Sequence, residues 1–307
     1  MAALLTRQNP GTPDDRASGR GRLRVVGTPI GNLGDLSPRA ADALRDADLI
    51  VAEDTRVARR LVAAIDARRP TLSFNEHNAT MRLPGLVARL AAGDTLALTT
   101  DAGMPGVSDP GATLVAAARN AGALVDVVPG PSAPSAAMAV SGVDAAGFLF
   151  AGFLPARPAA ARTAALDRMR AAAAAADVPL VLFEATHRIR ALLGELVERA
   201  PYARLVLCRE LTKLHEEVVA GSPAEVAAAL ADERGEFVVI IDERAVGVMQ
   251  PEWGSGGRSL DVEALVRVGS EQGLADRTLV ELLRAAGVAR REAYAVVTGA
   301  RRAAESR

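Results

Sequence analysis

From Leu23 onward, short β-branched runs alternate with Ala-, Leu- and Arg-rich segments in which apolar positions recur at helical spacing. The first five runs predict strands at Leu23–Val26, Leu49–Ala52, Thr71–Phe74, Thr95–Thr99 and Leu124–Val128. Strands that alternate with helices are typical of a mostly parallel sheet covered by helices. Residues 23–130 are therefore predicted to form an N-terminal α/β domain.

Capping residues mark the starts of several predicted helices. Ser37–Pro38 and Asp109–Pro110 each place an N-cap side chain before a proline at the first helical position. Gly122 is expected to end the second of these helices. Ser132 is expected to cap another helix, and Ser222–Glu225 has the spacing of a capping box.

The proline- and glycine-rich segment Val128–Pro134 (VPGPSAP) interrupts the alternation, and a second α/β domain is predicted over residues 131–245. Its strands are expected at Phe148–Ala151, Leu180–Phe183, Ala203–Cys208, Glu217–Ala220 and Phe237–Ile241, with helices at about 158–176, 187–199 and 223–231. A short polar connection, rather than a helix, joins the third strand to the fourth. This favours antiparallel pairing and a mixed second sheet.

The two ends of the chain differ from its middle. The first 22 residues are rich in Arg, Gly, Pro and Asp and are interpreted as a disordered leader, because they lack the apolar core of a signal peptide. Residues 246–258 are predicted to be a linker, and residues 259–307 a helical module whose turn at 286–288 resembles a helix-turn-helix. From Arg284 onward the chain has six arginines and two glutamates. This excess of positive charge is consistent either with phosphate contacts or with a solvated helix face.

Composition narrows the class of protein. The chain has 307 residues, 50% of them apolar and 24% charged, with a net charge of −1. This argues against wholesale disorder and against a globally basic nucleic-acid coat. No apolar stretch approaches the ~18 residues of a membrane span. The single cysteine, Cys208, excludes an internal disulfide and fits a reducing compartment. Lys213 is the only lysine among many arginines, which reflects either chance or a need for a compact cation.

Two glycine-rich loops follow predicted strands of the first domain. Val26–Asp35 (VGTPIGNLGD) lacks the GxGxxG spacing, so a nicotinamide cofactor is disfavoured. Thr99–Gly111 (TTDAGMPGVSDPG) has two aspartates, three glycines and two prolines in thirteen residues. Both loops are predicted at the carboxyl ends of strands, where open α/β sheets bind ligands. Asp101 is a candidate acceptor for a ligand hydroxyl or amine.

Polar residues that could face these loops across a cleft occur in AEDTR at 52–56, NEHN at 75–78, FEATHR at 183–188 and CRELTKLHEE at 208–217. His77, His187 and His215 lack metal-binding spacing, so no metal site is expected. No Ser-His-Asp triad or cysteine nucleophile is indicated either.

The chain resembles the ribosomal RNA small-subunit methyltransferase I family of the tetrapyrrole-methylase superfamily in nine ordered segments: TPIGNLGDLS, AEDTR, EHN, DAGMPGVSDPG, PGPSA, GFLP, HR, RELTKLHEE and GEFVVII. The resemblance implies a two-domain α/β fold with a mostly parallel first sheet, a mixed second sheet and a small C-terminal helical module. It implies methyl transfer from S-adenosylmethionine to the ribose 2′-oxygen of a cytidine in 16S ribosomal RNA. The enzyme is expected to be a cytoplasmic homodimer without a metal or a membrane anchor.

The same resemblance implies particular site residues. The cofactor is expected between the domains, bound by Pro29, Gly31, Asp101, Gly103, Met104, Ser132, Ala133, Phe183 and Leu211. Met104 replaces the threonine usual in the family, so a hydroxyl contact is not expected there. Glu53 and Lys213 are the catalytic candidates, since a base or a cation at the developing alkoxide would help a poorly nucleophilic hydroxyl. The substrate-binding candidates are Arg56, His77, His187, Arg188 and Arg209.

Two other functions compete with this interpretation. A tetrapyrrole C-methyltransferase would keep the cofactor and change the acceptor, but such relatives typically carry GDP-type second loops in place of DAGMPGVSDPG. A non-enzymatic RNA-binding assembly factor could use the arginine-rich C-terminal segment. That function leaves the glycine-rich loops without a purpose.

Overall fold

The computed structural model describes residues 19–106, 109–244, 266, 275–285 and 296–299. The chain divides into two compact units, the first ending at Arg244 and the second beginning at Ala245. The predicted linker at 246–258, the predicted turn at 286–288 and residues 1–18 of the predicted leader lie outside the described residues. Arg22, assigned to the leader from the sequence, is instead the first residue of a strand and pairs with Asp126.

The first sheet consists of β1 (Arg22–Val26), β2 (Leu49–Ala52), β3 (Thr71–Ser73), β4 (Thr95–Thr99) and β5 (Leu124–Val128). Its strand order is β3-β2-β4-β1-β5, and every pair is parallel. β2 is buried along its whole length, because helices cover both faces of the sheet. The predicted mostly parallel sheet is confirmed.

Helices α1 (Pro38–Asp46) and α2 (Thr55–Ala64) cover one face of this sheet. Helices α3 (Ala79–Ala91) and α4 (Gly111–Asn120) cover the other face. Each helix follows the carboxyl end of a strand. The loops that begin α1, α2 and α4 therefore meet at one edge of the sheet.

Two of the predicted helix caps are confirmed, one is right in position only, and one is wrong. The Ser37 hydroxyl accepts a hydrogen bond from the Ala40 amide, and the Ser222–Glu225 capping box is complete. Asp109 is not the N-cap of α4, because Pro110 occupies that position. The Asp109 carboxylate accepts hydrogen bonds from the Gly106 amide in the loop and from the amide of Gly111, the first residue of α4. Ser132 stands at an N-cap, but its side chain makes no capping bond.

The second sheet consists of β6 (Leu149–Phe153), β7 (Leu180–Glu184), β8 (Arg204–Arg209), β9 (Glu217–Gly221) and β10 (Phe237–Asp242), in the order β6-β7-β10-β8-β9. β6 and β7 are parallel and the remaining pairs are antiparallel, as the predicted mixed sheet requires. Its helices are α5 (Ala133–Ser141), α6 (Ala159–Ala175), α7 (Ile189–Arg199) and α8 (Pro223–Ala229). α5 packs on one face, and the other three pack on the opposite face.

The second unit contains a helix at Asp276–Ala285. Its described core is small and consists of Val266, Leu279, Val280, Leu283 and Val297. In neither unit is any described helix long and apolar enough to cross a membrane.

Candidate functional site

Three loops at the carboxyl edge of the first sheet are held together by backbone hydrogen bonds. The Thr28 amide donates to the Gly103 carbonyl at 2.9 Å, and the Gly103 amide returns a bond of 3.2 Å. The Gly27 amide donates to the Val128 carbonyl at the end of β5. Gly103 has a φ of +85°, a conformation that favours glycine. These contacts fix the loops after β1, β4 and β5 as one rigid wall.

Two glycines in this wall allow the backbones to approach closely. A Cβ atom on Gly27 would lie 2.5 Å from the Gly130 nitrogen and 2.6 Å from the Met104 sulfur. The Met104 sulfur accepts a hydrogen bond of 3.3 Å from the Gly130 amide. Met104 therefore joins the second loop to the third, in addition to any contact with a ligand.

A cavity of about 550 Å³, here called the central pocket, lies between this wall and the second sheet. Its lining is apolar and aromatic on the side of the second sheet, where Phe183 packs against Phe150 and Phe153. The lining residues are Ile30, Glu53, Thr100, Asp101, Ala102, Gly103, Met104, Ser132, Ala133, Pro134, Phe153, Phe183, Glu184, Ala185, Thr186, His187, Leu211, Gly235, Glu236, Phe237 and Val238. Its volume falls in the usual range of small-molecule sites.

A second cavity of about 500 Å³, here called the acidic pocket, adjoins the first. It is lined by Glu53, Asp54, Thr55, Ser73, Asn75, Glu76, His77, Asp101, Asp109 and Pro110. Glu53 and Asp101 line both cavities. These two carboxylates therefore stand at the boundary where a group bound in one pocket would meet a group bound in the other.

The boundary carboxylates have perturbed acidities. Partial burial raises the pKa of Glu53, the bond from the Thr100 hydroxyl (2.9 Å) partly opposes this, and the negative charges of Asp101 and Asp109 add to it. Partial burial also raises the pKa of Asp101, although its carboxylate accepts a bond of 3.0 Å from the Asp54 amide. Glu53 is thus a carboxylate with increased basicity at the boundary of the two pockets.

Lys213 lies in the loop between β8 and β9 and is held by two carboxylates. Its ammonium donates to Glu210 at 2.9 Å and to Glu236 at 2.8 Å. Partial burial lowers the pKa of Lys213, but the bonds to Glu236 and Glu210 outweigh it and leave the pKa raised. Lys213 is therefore a cation at the rim of the central pocket, since Glu236 lines that pocket.

The structure brings most of the predicted cofactor residues to the central pocket. Its lining includes Asp101, Gly103, Met104, Ser132, Ala133, Phe183 and Leu211. Pro29 and Gly31 belong to the same loop as Ile30 but are not among its lining residues. Gly31 lies against the Lys213 loop instead, because a Cβ atom there would be 2.5 Å from the Lys213 Cγ.

The five predicted substrate-binding residues do not lie together in one pocket. His187 lines the central pocket and His77 lines the acidic pocket. Arg56 is exposed beside the acidic pocket and pairs with Asp54. Arg188 is mostly buried in an ion pair with Glu184, and Arg209 is paired with Glu217. The structure thus gives Arg188 and Arg209 intramolecular partners, which the sequence pattern could not show.

Sequence reasoning missed Thr100, Phe153 and Glu236 as lining residues. Each lies inside or next to one of the nine segments of the resemblance: Thr100 next to DAGMPG, Phe153 in GFLP and Glu236 in GEFVVII. The sequence therefore pointed to the segments that contain these residues, but it did not show that these residues line the pocket. The structure also shows that burial raises the pKa of Glu53 and that a hydrogen bond from Thr100, 47 residues away in the chain, partly opposes this shift.

Comparison with known proteins agrees with the resemblance in sequence. The family profile for "Tetrapyrrole (Corrin/Porphyrin) Methylases" matches residues 22–227. A ribosomal RNA small subunit methyltransferase I of Xylella fastidiosa is 45% identical over 230 residues, which cover 73% of this chain and 82% of that protein. The protein of the same name from Thermotoga maritima is 39% identical over 223 residues, covering 72% of this chain and 98% of that one.

Solved structures agree on the fold. A uroporphyrin-III-C-methyltransferase from Thermus thermophilus matches 76% of this chain and 100% of its own, with a TM-score of 0.51 and 20% identity. A second structure of that enzyme, complexed with S-adenosyl homocysteine, gives a TM-score of 0.52 and 19% identity, covering 73% of this chain and 97% of its own. At this level of identity the likeness concerns the fold alone.

Proposed function

The chain belongs to the ribosomal RNA small subunit methyltransferase I family within the tetrapyrrole methylases, and from that premise we propose that it methylates the ribose 2′-oxygen of a cytidine in 16S ribosomal RNA. The methyl donor of the family is S-adenosylmethionine. The same resemblance supports a homodimer that acts in the cytoplasm on the small ribosomal subunit. The observation that carries the proposal is the charge of the two adjoining pockets.

Neither pocket has a lysine or an arginine among its described lining residues, whereas seven acidic residues line one or both of them. Those of the central pocket are Glu53, Asp101, Glu184 and Glu236, and the acidic pocket adds Asp54, Glu76 and Asp109. Two of them form ion pairs, Glu184 with Arg188 and Glu236 with Lys213. Such a lining disfavours a ligand with a net negative charge inside the pockets. It suits a cation in the central pocket and a neutral nucleoside in the acidic pocket.

The residues of the central pocket fit S-adenosylmethionine. Phe153, Phe183 and Phe237 supply an apolar wall for a flat base, while the carboxylates make a side where a cation is favoured. When bound, the cofactor supplies an electrophilic methyl group on a positively charged sulfur. The rigid wall of three loops and the second sheet would exclude water and fix the direction of approach, which contributes much of the rate of a bimolecular transfer.

Glu53 is proposed to accept the proton of the acceptor hydroxyl. Its carboxylate stands at the boundary of the two pockets, and its raised pKa makes it a better base than an ordinary glutamate. The Thr100 hydroxyl donates to Oε2 of Glu53. This bond holds the carboxylate in a fixed position between the donor and the acceptor.

Lys213 is proposed to supply positive charge rather than to act as a base. Its raised pKa keeps the ammonium protonated, and its bonds to Glu210 and Glu236 fix its place at the rim of the central pocket. A fixed cation there would stabilise negative charge that develops on the acceptor oxygen. Arg56 and His77 lie beside the acidic pocket and are proposed to contact the acceptor nucleotide.

Methylation of a tetrapyrrole remains the competing function, because the solved structures of this fold named above are uroporphyrin-III-C-methyltransferases. The carboxylate lining argues against it, since an acidic macrocycle needs cationic side chains around it. We expect labelled S-adenosylmethionine to transfer its methyl group to one cytidine ribose of small ribosomal subunits that lack the modification, mapped by nuclease digestion and mass spectrometry. Cofactor binding without label on RNA would reject the proposal and make tetrapyrroles the next acceptors to test.

A further inference from the structure

Helix α2 and the loop after it carry five exposed arginines on one side of the first sheet. These residues, here called the α2 arginine strip, are Arg56, Arg59, Arg60, Arg68 and Arg69. Asp54 and Asp66 are the only acidic residues between positions 54 and 70. The strip is therefore strongly basic in a chain whose net charge is −1.

The strip begins at the mouth of the acidic pocket. Thr55 lines that pocket and is the first residue of α2, so Arg56 is the first arginine beyond the rim. The ten residues of α2 then run back along the sheet for about 15 Å. The Arg59 guanidinium donates to the Thr71 hydroxyl at the start of β3, which ties the helix to the strand that follows Arg68 and Arg69. The arginines thus mark a path from the pocket to the opposite edge of the sheet.

Much of this positive charge is uncompensated. Arg56 pairs with Asp54, and Arg59 bonds a neutral hydroxyl. Arg60 and Arg69 make no side-chain hydrogen bond or ion pair within the described part of the chain, although Arg60 is close enough to lower the pKa of Asp54. Guanidinium groups held on a rigid surface without intramolecular partners are available to bind phosphates.

We propose that the α2 arginine strip binds the phosphates of single-stranded RNA next to the acceptor nucleotide. The inference rests on the proposed function, because it places the ribose and base of that nucleotide in the acidic pocket. The carboxylates of that pocket repel phosphate, so the flanking backbone must lie outside it. The strip is a basic surface that starts one residue from the rim. The acidic pocket would then bind the neutral ribose and base of the acceptor nucleotide, and the strip would bind the flanking phosphates.

The test uses R60Q/R69Q, which removes two arginines that make no side-chain hydrogen bond or ion pair among the described residues, and the matched control R119Q/R168Q. Arg119 and Arg168 are exposed arginines on α4 and α6. Binding of a short fluorescein-labelled single-stranded RNA is measured by anisotropy between about 50 and 200 mM salt. Each lost contact to single-stranded RNA lowers the slope of log Kd against log salt by about 0.7. R60Q/R69Q is therefore expected to lower the slope by about 1.4 and to weaken binding about 25-fold near 0.1 M salt.

The kinetic readout should separate RNA binding from chemistry. R60Q/R69Q is expected to raise KM for unmodified small ribosomal subunits and to leave kcat and the Kd for S-adenosylmethionine unchanged. An unchanged salt slope, or an equal loss in the R119Q/R168Q control, would overturn the inference while leaving the proposed function intact. If the wild-type chain failed to label ribosomal RNA, the proposed function would fall. The anisotropy titration would still decide whether the strip binds phosphates.

Discussion

The close approach of Gly27 and Gly130 allows a sharp test of how the site is built. A Cβ atom at residue 27 would lie 2.5 Å from the Gly130 nitrogen and 2.6 Å from its Cα, whereas ordinary contacts begin at 3.4 Å. Gly27→Ala therefore requires the first and third loops to separate by about 1 Å, because both partners are backbone atoms and the core is close-packed. Overpacking of this kind costs about 1–3 kcal/mol.

The displaced loop carries Ser132 and Ala133, which line the central pocket. We therefore expect Gly27→Ala to lower the midpoint of thermal unfolding by about 2–12 °C, at about 2–4 °C per kcal/mol for a unit of this size. The affinity for S-adenosylmethionine should fall about tenfold or more, since about 1.4 kcal/mol corresponds to a factor of ten. Differential scanning calorimetry and isothermal titration calorimetry measure the two effects.

Gly194→Ala is the matched control. Gly194 lies within α7 and is exposed, and no neighbouring atom lies within 4 Å of the position that its Cβ atom would take. The same chemical change is expected to stabilise the protein by up to about 1 kcal/mol, because alanine is the better helix former. If Gly27→Ala were as stable as the wild type and bound the cofactor with unchanged affinity, backbone contact between the two loops would not be what shapes the pocket.

Three further predictions concern titratable groups. Glu53→Gln should reduce kcat at least about a hundredfold with little change in cofactor affinity. Because burial raises the pKa of Glu53, the wild-type rate should fall as the pH drops through a value above the ordinary pKa of a glutamate. A pH–rate profile of the variant should not show this acidic decrease. Arg188→Met should cost about 3–5 kcal/mol in chemical denaturation, because it leaves the Glu184 carboxylate, which is 0% exposed, without its partner. Adding Glu184→Leu should restore most of that loss, and a single-variant loss below about 1 kcal/mol would contradict the reasoning. Burial raises the pKa of the Cys208 thiol to about 12, so it should resist an aromatic disulfide reagent near neutral pH in the folded protein and react fully in denaturant; rapid reaction in the native state would show that the thiol is accessible.

Most elements of the fold can be predicted from the sequence, because their signals are local. The strands of the first sheet match the predicted runs to within one residue, since Leu49–Ala52 and its counterparts are short apolar runs with clear boundaries. The Ser37 cap and the Ser222–Glu225 box are also predictable, because each depends on residues three positions apart. The predicted Asp109 cap is wrong by one residue, because Pro110 stands at the N-cap, although the Asp109 carboxylate accepts a hydrogen bond from the amide of Gly111, the first residue of α4.

The sequence predicts which segments form the candidate site, but not how their side chains are arranged in space. The ordered motifs identify the family and most of the pocket lining, because Gly103, Met104 and Ser132 lie in loops that any sheet of this order brings to one edge. The sequence alone also determines the single lysine and the basic character of α2. These are properties of composition and short-range pattern.

Only the tertiary structure determined which polar and charged side chains contact one another. Glu53 and Thr100 are 47 residues apart, and Lys213 reaches Glu236 across 23 residues. These contacts exist because β2 lies beside β4 and β8 beside β10, an order that hydrophobic periodicity does not specify. Burial, and with it the raised pKa of Glu53, arises from the same packing. The sequence therefore determined the residues of the site, and the strand order determined their chemistry.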